Sequence, residues 1–288
     1  MSNNTATRGR VGTPRRVKVL NYTVMTLLAI FFVFPVAFAF AGSFKDDAFV
    51  FADAGTLQGL VPTPFVGFDN YVAANERISL VLAFRNSTVI ALGIVLIGAV
   101  TNSMLGYAMA RLQWRGRMLI VTGIVSLAII PFEALAIPLL YAFAEVGWLN
   151  TFRVQILPFI ANPFFIYLFY TFFLNIPKEM EEAARVDGAG PIRTFVRVVA
   201  PLAKPAYASV AILTFLFSWG QLLWPTMVTR GESVRPLPLA LQAFQTSPPL
   251  QWGAIMAFVV LMTLPLLAVF LIFQRQFVEG VASSGVKG

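Results

Sequence analysis

The chain has 288 residues, of which 58% are hydrophobic and only 12% are charged, and its mean hydropathy is +0.77. These proportions leave too few polar side chains to cover a water-facing surface, so they exclude an ordinary soluble globular protein. Cysteine and histidine are both absent, which removes disulfides, thiol nucleophiles, imidazole bases and the commonest zinc ligands. The net charge of +8 could indicate nucleic-acid binding, but the distribution of the charge favours another explanation.

Six predominantly apolar stretches are each long enough to cross a bilayer, which requires about 20 residues of helix. The predicted spans lie at about residues 19–44, 86–110, 118–144, 154–176, 205–229 and 252–273. The sequence therefore predicts an all-α membrane protein with six transmembrane helices. Its single transmembrane domain covers residues 19–275, between a basic tail at 1–18 and a second tail at 276–288.

The first stretch could also be a cleaved signal peptide, because Ala39-Phe40-Ala41 followed by Gly42 resembles a small-x-small cleavage site after a basic region. The apolar part of a signal peptide spans about 7–15 residues, whereas the run from Val19 to Phe38 is long enough to cross the bilayer. We therefore interpret it as the first membrane span.

The 21 Lys and Arg residues are distributed unevenly between the two sides that alternating spans define. Fifteen lie on the side that holds both termini, and six lie on the other side. Because basic residues are retained in the cytoplasm, both termini are predicted to be cytoplasmic. Topology and contact with anionic membrane lipid then explain the surplus positive charge, and no nucleic-acid partner is expected.

The segment 177–204 is the longest polar stretch between two spans on the predicted cytoplasmic side. Pro177 suits the first turn of a helix, and the glutamates that follow it place negative charge near the positive end of the helix dipole. Gly188 can supply a left-handed residue where the chain leaves this helix, and Pro191 can begin another. The sequence thus predicts two short helices that project from the membrane.

The residue string of this segment is specific. Glu182-Ala183-Ala184 is followed after three residues by Gly188, and after nine more by Val198, with Ala200-Pro201 next but one. The string resembles the EAA loop of ABC-importer permeases, whose pattern is E-A-A, G, then I-x-L-P. Ala200 departs from the pattern, which usually has leucine before the proline.

Other landmarks extend the resemblance to nearly the whole chain, and they are similar to the maltose-type, carbohydrate-uptake branch of these permeases. They are Asn86-Ser87, Gly106-Tyr107-Ala108, Ala110-Arg111, Ile137-Pro138-Leu139, Phe217-Ser218-Trp219, Leu223-Trp224-Pro225, Leu237-Pro238, Gln274-Arg275 and the ending Gly285-Val286-Lys287-Gly288. In one departure, Gly220-Gln221 stand where many relatives have Asn-Asp, which leaves the role of that pair open here.

The resemblance implies the transmembrane domain of a type I ABC importer, with 177–204 as the loop that couples it to a separate ATPase. Its coupling residues would be Glu182, Ala183, Ala184, Asp187, Gly188 and Pro201. The partners implied are a second homologous permease subunit, a pair of nucleotide-binding ATPase subunits and an extracytoplasmic solute-binding protein. The function implied is one half of the translocation path for a carbohydrate-like solute.

A phosphate-cradling loop is missing from the sequence, since none of the five lysines follows a glycine. We therefore expect no cofactor or metal in this chain, with ATP and Mg²⁺ bound by the partner ATPase. The expected role is that of a non-catalytic subunit in the cytoplasmic membrane of a prokaryote.

Glu133 is the one carboxylate inside a predicted span, where a charge costs about 2.5–3.5 kcal/mol on insertion scales. It could line the solute path, although a buried glutamate bonded to a neighbouring helix or a position at the end of the span would be equally consistent. Trp219, Gln221 and Trp224 are further candidates for the path. Tryptophan also anchors helices at membrane interfaces, so that role is the default for both indoles.

Two other classes of function remain open at this point. An ion-coupled secondary transporter would need its own ion site and often an internal repeat, and the sequence displays neither. A membrane enzyme is a more distant alternative, because Glu133 lacks any visible partner for acid-base chemistry.

Overall fold

The structure is a computed structural model that describes the backbone of residues 15–285 and the side chains as far as residue 273. Most of the predicted basic tail at 1–18 and the last three residues of the chain lie outside this part. The described residues form helices joined by turns, with one isolated β-bridge between Lys45 and Phe65.

Three single helices are long and apolar enough to cross a membrane. They are α1 (Arg15–Ser43), α4 (Leu80–Arg111) and α15 (Trp252–Gly285), the last as far as Phe273. Between the first two lie the short helices α2 (Asp47–Ala52) and α3 (Asp69–Ile78). The helix α15 continues to Gly285, which lies within the predicted tail at 276–288.

Three bent pairs of helices meet the same length and composition test together. The first pair is α5 (Arg117–Leu127) with α6 (Phe132–Glu145), bent by 100°. The second is α7 (Phe152–Ile156), extended to Phe159 by a 3₁₀ turn, with α8 (Pro163–Leu174), bent by 44°. With each bent pair counted as one span, the described residues contain up to six spans.

The third pair contains the end of the polar loop. After α9 (Glu179–Val186), the chain forms α10 (Pro191–Thr194), a π-helical turn at Phe195–Val199 and α11 (Ala200–Leu202), which meet α12 (Lys204–Trp219) at 79°. The elements α13 (Leu223–Val228) and α14 (Leu237–Gln245) follow.

The third, fourth and fifth predicted spans differ from the single helices expected at 118–144, 154–176 and 205–229. Pro131 breaks the third, since proline has no N–H to donate and restrains the residue before it. Gly220 and Gln221 interrupt the fifth. The second span also begins earlier than predicted, at Leu80.

The side chain of Asn102 on α4 forms hydrogen bonds with backbone groups at the break between α7 and α8. The Asn102 amide donates to the Ile160 carbonyl at 3.2 Å, and its oxygen accepts from the Asn162 N–H at 2.8 Å. Asn162 in turn caps α8 by accepting from the Phe164 N–H. Because hydrocarbon offers no water to unpaired backbone groups, such partners allow a bent helix to remain inside a membrane.

The segment between α1 and α4 is folded rather than extended. Lys45 is fully buried, where its ammonium lies 2.5 Å from Asp53 and donates to the Gln58 carbonyl. Asn70 on α3 donates to the carbonyls of Ser43 and Lys45. These contacts hold α2 and α3 against the end of α1, in keeping with a connection that lies across one face of the bundle.

The centre of the bundle is the crossing of α4 and α8. Gly106 lies where a Cβ atom would be 2.7 Å from the Phe169 Cβ and 2.9 Å from the Tyr170 nitrogen. Phe169 and Phe173 are completely buried there. Small residues permit this kind of close approach between membrane helices, where packing rather than the hydrophobic effect drives association.

We expect Gly106→Ala to destabilise the protein by about 1–3 kcal/mol, because the added methyl group meets backbone atoms that cannot rotate away. Thermal unfolding in detergent would measure the change. Gly123→Ala is the matched control, since a Cβ there has no neighbour within 4 Å. Equal unfolding temperatures for both variants would contradict this account of the crossing.

Candidate coupling site

The predicted two-helix loop is present, although its first helix begins later than expected. The helix α9 starts at Glu179, so Pro177 precedes the helix. Gly188 has a φ of +76°, and the Ala189 N–H donates to the Ala184 carbonyl across the turn. Pro191 then opens α10. A left-handed residue after the last turn ends a helix with its carbonyls satisfied, and glycine adopts that conformation at least cost.

Most of the predicted coupling residues are accessible on this loop. Glu182, Ala183, Asp187, Gly188 and Pro201 are exposed, while Ala184 is half-buried. Two apolar side chains, which sequence reasoning did not select, are exposed with them: Val186 at 88% and Ile192 at 73%. An apolar tip flanked by charged side chains is the composition of a surface that docks onto another protein.

The inner face of α9 carries the residue that attaches the loop to the membrane helices. Glu181 is buried, and its Oε1 lies 2.7 Å from the Nε of Arg111 at the end of α4. The N–H direction does not meet hydrogen-bond geometry, so this contact is a coulombic ion pair. Tyr107 donates its hydroxyl to the other carboxylate oxygen at 3.2 Å.

Arg111 also holds the turn that follows α8. Its guanidinium donates to the carbonyl of Ile176. Ile176 lies two residues before Lys178, which occupies the N-cap position of α9. The side chains of Arg111 and Glu181 are only 5% and 4% exposed. Removal of one member of a buried ion pair costs about 3–5 kcal/mol, because the remaining charge has no partner. The pair therefore fixes α9 to α4.

The loop has two arms, α9 before Gly188 and the helical turns from α10 to α11 after it. An aromatic contact anchors the second arm. Phe195, in the π-helical turn, is buried with its ring centroid 4.9 Å from that of Tyr107 and 6.2 Å from that of Phe173. Tyr107 thus contacts both arms, one through its hydroxyl and the other through its ring. A displacement of the loop has to move α4 and α8 with it.

Sequence reasoning missed Glu181, Arg111 and Tyr107 as anchors. The helical period could have indicated that one of two glutamates faces the bundle. Glu181 and Glu182 are adjacent, so their side chains point about 100° apart around α9 and do not share one face. Arg111 was visible as the charge that closes the second apolar stretch.

Glu133 and Gln221 both lie beside helix breaks. Glu133 is exposed in the first turn of α6, directly after the break at Pro131, and is therefore not the buried glutamate that one alternative required. Gln221 is half-buried between α12 and α13. Binding sites of transporters are commonly formed by polar groups beside discontinuous membrane helices.

Trp219 and Trp224 lie in the interior instead of at a surface. Trp219 is 2% exposed, donates its indole N–H to the Met262 carbonyl at 2.9 Å and stacks on Phe215. Trp224 is completely buried and donates to the Val154 carbonyl at 2.8 Å. In this conformation both indoles join helices to one another, and neither has surface for a solute or for an interfacial anchor.

Aromatic rings bring together the breaks of the first two bent pairs and the interruption at Gly220-Gln221 that follows α12. Phe132, at the start of α6, lies 4.8 Å from Phe159 and 5.6 Å from Trp224, measured between ring centroids. Phe159 is also in contact with Phe217 near the end of α12. The breaks after α5, α7 and α12 therefore meet in one aromatic cluster, with Glu133 beside it.

A bundle of long apolar helices that presents an anchored, exposed two-helix loop is the architecture of a membrane transport permease. Residues 102–283 match the family model described as "Binding-protein-dependent transport system inner membrane component", and the chain belongs to this family of integral inner-membrane proteins.

Curated relatives match almost end to end. The chain is 34% identical over 267 residues to the trehalose transport system permease protein SugB of Mycobacterium tuberculosis, which covers 91% of this chain and 95% of the relative. It is 31% identical over 262 residues to the arabinooligosaccharides transport system permease protein AraQ of Halalkalibacterium halodurans, with 91% and 93% covered. A chain of a bacterial ABC transporter involved in the import of the polysaccharide alginate shares the fold, with a TM-score of 0.80, 23% identity and coverage of 93% and 99%.

We expect Glu181→Gln to lower stability by about 3–5 kcal/mol, since Arg111 stays buried without its counter-charge. The matched control Glu179→Gln removes an exposed carboxylate from the same helix and should change stability little. The double variant Arg111→Met with Glu181→Leu should recover much of the loss, because an apolar pair can replace a buried ion pair. Unfolding in detergent measures all three; a Glu181→Gln variant as stable as the control would contradict the assignment.

Proposed function

We propose that this chain is the permease subunit of an ATP-driven importer and forms half of the translocation path for a carbohydrate-like solute. The observation that carries the proposal is the coupling loop, which is exposed at its tip and joined to the membrane helices by a buried ion pair. The names of the relatives, which refer to arabinooligosaccharides and trehalose, support a sugar or a related solute.

The loop would transmit motion from the ATPase in two steps. Glu182 and the apolar tip at Val186 dock into a cleft of the ATPase, where the small side chain of Ala183 permits close approach. Glu181 then carries the displacement to α4 through Arg111. Because Tyr107 bridges the ion pair and Phe195, both arms of the loop move as one body with α4 and α8.

The assembly proposed around the chain follows from its family. A second homologous permease completes the path, two ATPase subunits bind ATP and Mg²⁺, and an extracytoplasmic binding protein delivers the solute. The six spans leave both termini in the cytoplasm of a prokaryote, in agreement with the excess of Lys and Arg on that side.

For the solute path we favour Glu133 and Gln221 over the two tryptophans. Both polar side chains are at least partly accessible and lie beside helix breaks, whereas Trp219 and Trp224 are enclosed by other helices. A carboxylate can accept hydrogen bonds from sugar hydroxyls, and a bond to a charged group contributes about 1.5–3 kcal/mol. The aromatic cluster would then form the wall behind them.

We expect Glu182→Lys to abolish association with the ATPase without unfolding the permease, because the side chain is exposed and makes no contact that the fold requires. Gly188→Val should also weaken association, because a β-branched residue is strained at a φ of +76°. Co-purification with the ATPase and ATP-dependent uptake in proteoliposomes are the measurements. Glu76→Lys, a charge reversal at an exposed position of α3, is the control. Wild-type association by both loop variants would refute the coupling role.

We expect Glu133→Gln to reduce uptake about tenfold, since a neutral amide oxygen replaces the charged acceptor and weakens the hydrogen bond, while the ATPase remains bound. Glu145→Gln, at the other end of α6, changes an exposed carboxylate away from the break and should transport normally. Uptake of radiolabelled sugar with the assembled complex separates the two variants. Unchanged uptake by Glu133→Gln would remove this residue from the path.

A further inference from the structure

A basic cleft lies beside the coupling helix, where the ends of three helices meet. Its volume is about 340 Å³, and it is bounded by the end of α4, the first residue of α5, the last residue of α8 and one side of α9, including exposed residues of that helix. Its charged lining residues are Arg111, Arg117, Lys178, Glu181, Glu182 and Arg185.

The cleft holds more positive charge than its own carboxylates neutralise. Arg111 is paired with Glu181, as described above. Arg117, Lys178 and Arg185 have no carboxylate within ion-pair distance among the residues whose side chains the structure describes. Only Glu182 opposes these three cations, so the cleft presents a net charge of about +2 and suits an anion.

The position of the cleft indicates that the anion belongs to a lipid. Arg111 ends one candidate span, Arg117 begins the next and Leu174 ends α8, so the cleft lies at the depth where hydrocarbon gives way to headgroups. Apolar side chains stand exposed at the same level, among them Trp114 in the turn after α4 and Leu174 in the wall of the cleft. An amphipathic ligand can satisfy both surfaces at once.

We propose that this cleft binds the phosphate headgroup of an anionic phospholipid of the cytoplasmic leaflet, with an acyl chain against Leu174. The inference rests on the proposed orientation, which places α9 on the cytoplasmic side. Guanidinium groups bind phosphate through paired N–H donors, and the ammonium of Lys178 adds a further charge. Because the headgroup would lie next to the Arg111–Glu181 ion pair, the anionic lipid stabilises the attachment of the coupling helix.

The lipid explains the cleft better than an acidic segment of the ATPase would. The cleft lies at the depth of the headgroups, which a lipid reaches from the leaflet itself. An acidic peptide would also leave the apolar side chains of Trp114 and Leu174 exposed, whereas an acyl chain would cover them. Inorganic phosphate shares the chemistry of the headgroup and is therefore a competitor in the test.

The test is native mass spectrometry of the full-length chain in a non-ionic detergent, titrated with phosphatidylglycerol and, separately, with phosphatidylcholine. The wild type should retain phosphatidylglycerol in preference to phosphatidylcholine. The triple variant Arg117→Gln, Lys178→Gln, Arg185→Gln should lose about 100-fold in affinity, since each basic residue near an anionic surface contributes about fivefold. The matched control Arg15→Gln, Arg16→Gln, Lys18→Gln removes the same charge from exposed positions of α1 and should bind normally.

Several results would overturn the proposal. Equal loss in the triple variant and its control would mean that net charge alone attracts the lipid. Displacement of phosphatidylglycerol by millimolar inorganic phosphate would identify a free-anion site instead. The single variant Arg185→Gln, exposed on α9, should weaken binding about fivefold even if the triple variant folds poorly; unchanged affinity would count against the cleft.

A second measurement separates lipid from ATPase. In nanodiscs of phosphatidylcholine alone, Arg117→Gln, which lies outside the loop at 177–204, should bind the ATPase as well as the wild type does, because neither has an anionic lipid. Loss of ATPase binding there, with phosphatidylglycerol retention intact, would assign the cleft to an acidic protein segment. Lipid retention is measured without ATPase or solute, so its outcome is independent of whether the chain supports ATP-driven uptake.

Discussion

The ion pair between Arg111 and Glu181 is the contact on which the attachment of the loop at 177–204 to the membrane helices depends. It joins a polar loop to the end of a membrane helix, with both side chains at most 5% exposed. The pair also fixes the turn before α9, since Arg111 binds the Ile176 carbonyl. A buried pair is weak evidence for net stability but strong evidence for geometry, because breaking it leaves an isolated charge. Here that geometry sets the direction in which α9 presents its exposed face.

The two adjacent glutamates of α9 have different roles: Glu181 attaches the helix to α4, and Glu182 is proposed to contact the ATPase. Glu181 points inward to Arg111, and Glu182 points outward with Val186 toward the proposed ATPase. Side chains one residue apart on a helix diverge by about 100°, so one short helix can be held on one side and bind a partner on the other. Gly188 ends the helix soon after Val186 and turns the chain back to the membrane.

The apolar spans and the coupling loop could be predicted from sequence because each depends on local composition. Hydropathy located α1, α4 and α15, and the glycine and proline positions located the turn and the second short helix. The break at Pro131 was harder to predict, since a proline in a membrane helix is compatible with a kink or a full interruption. The burial of Trp219 and Trp224 depends on tertiary contacts with α15 and α7, which no local pattern encodes. Pairing of Arg111 with Glu181 was invisible for the same reason.

The aromatic cluster at the helix breaks has a mechanical consequence. Contacts between Phe132, Phe159 and Trp224 are edge-to-face or tilted, and each is worth only about 0.5–1.5 kcal/mol beyond burial. The directional part of these ring contacts is therefore small, whereas breaking the buried ion pair at the end of α4 costs about 3–5 kcal/mol. In the proposed coupling, the bundle would therefore resist displacement at the loop and yield at the helix breaks. A push on the loop would be converted into a change of bend angle, which resembles the action of a jointed lever rather than that of a rigid piston.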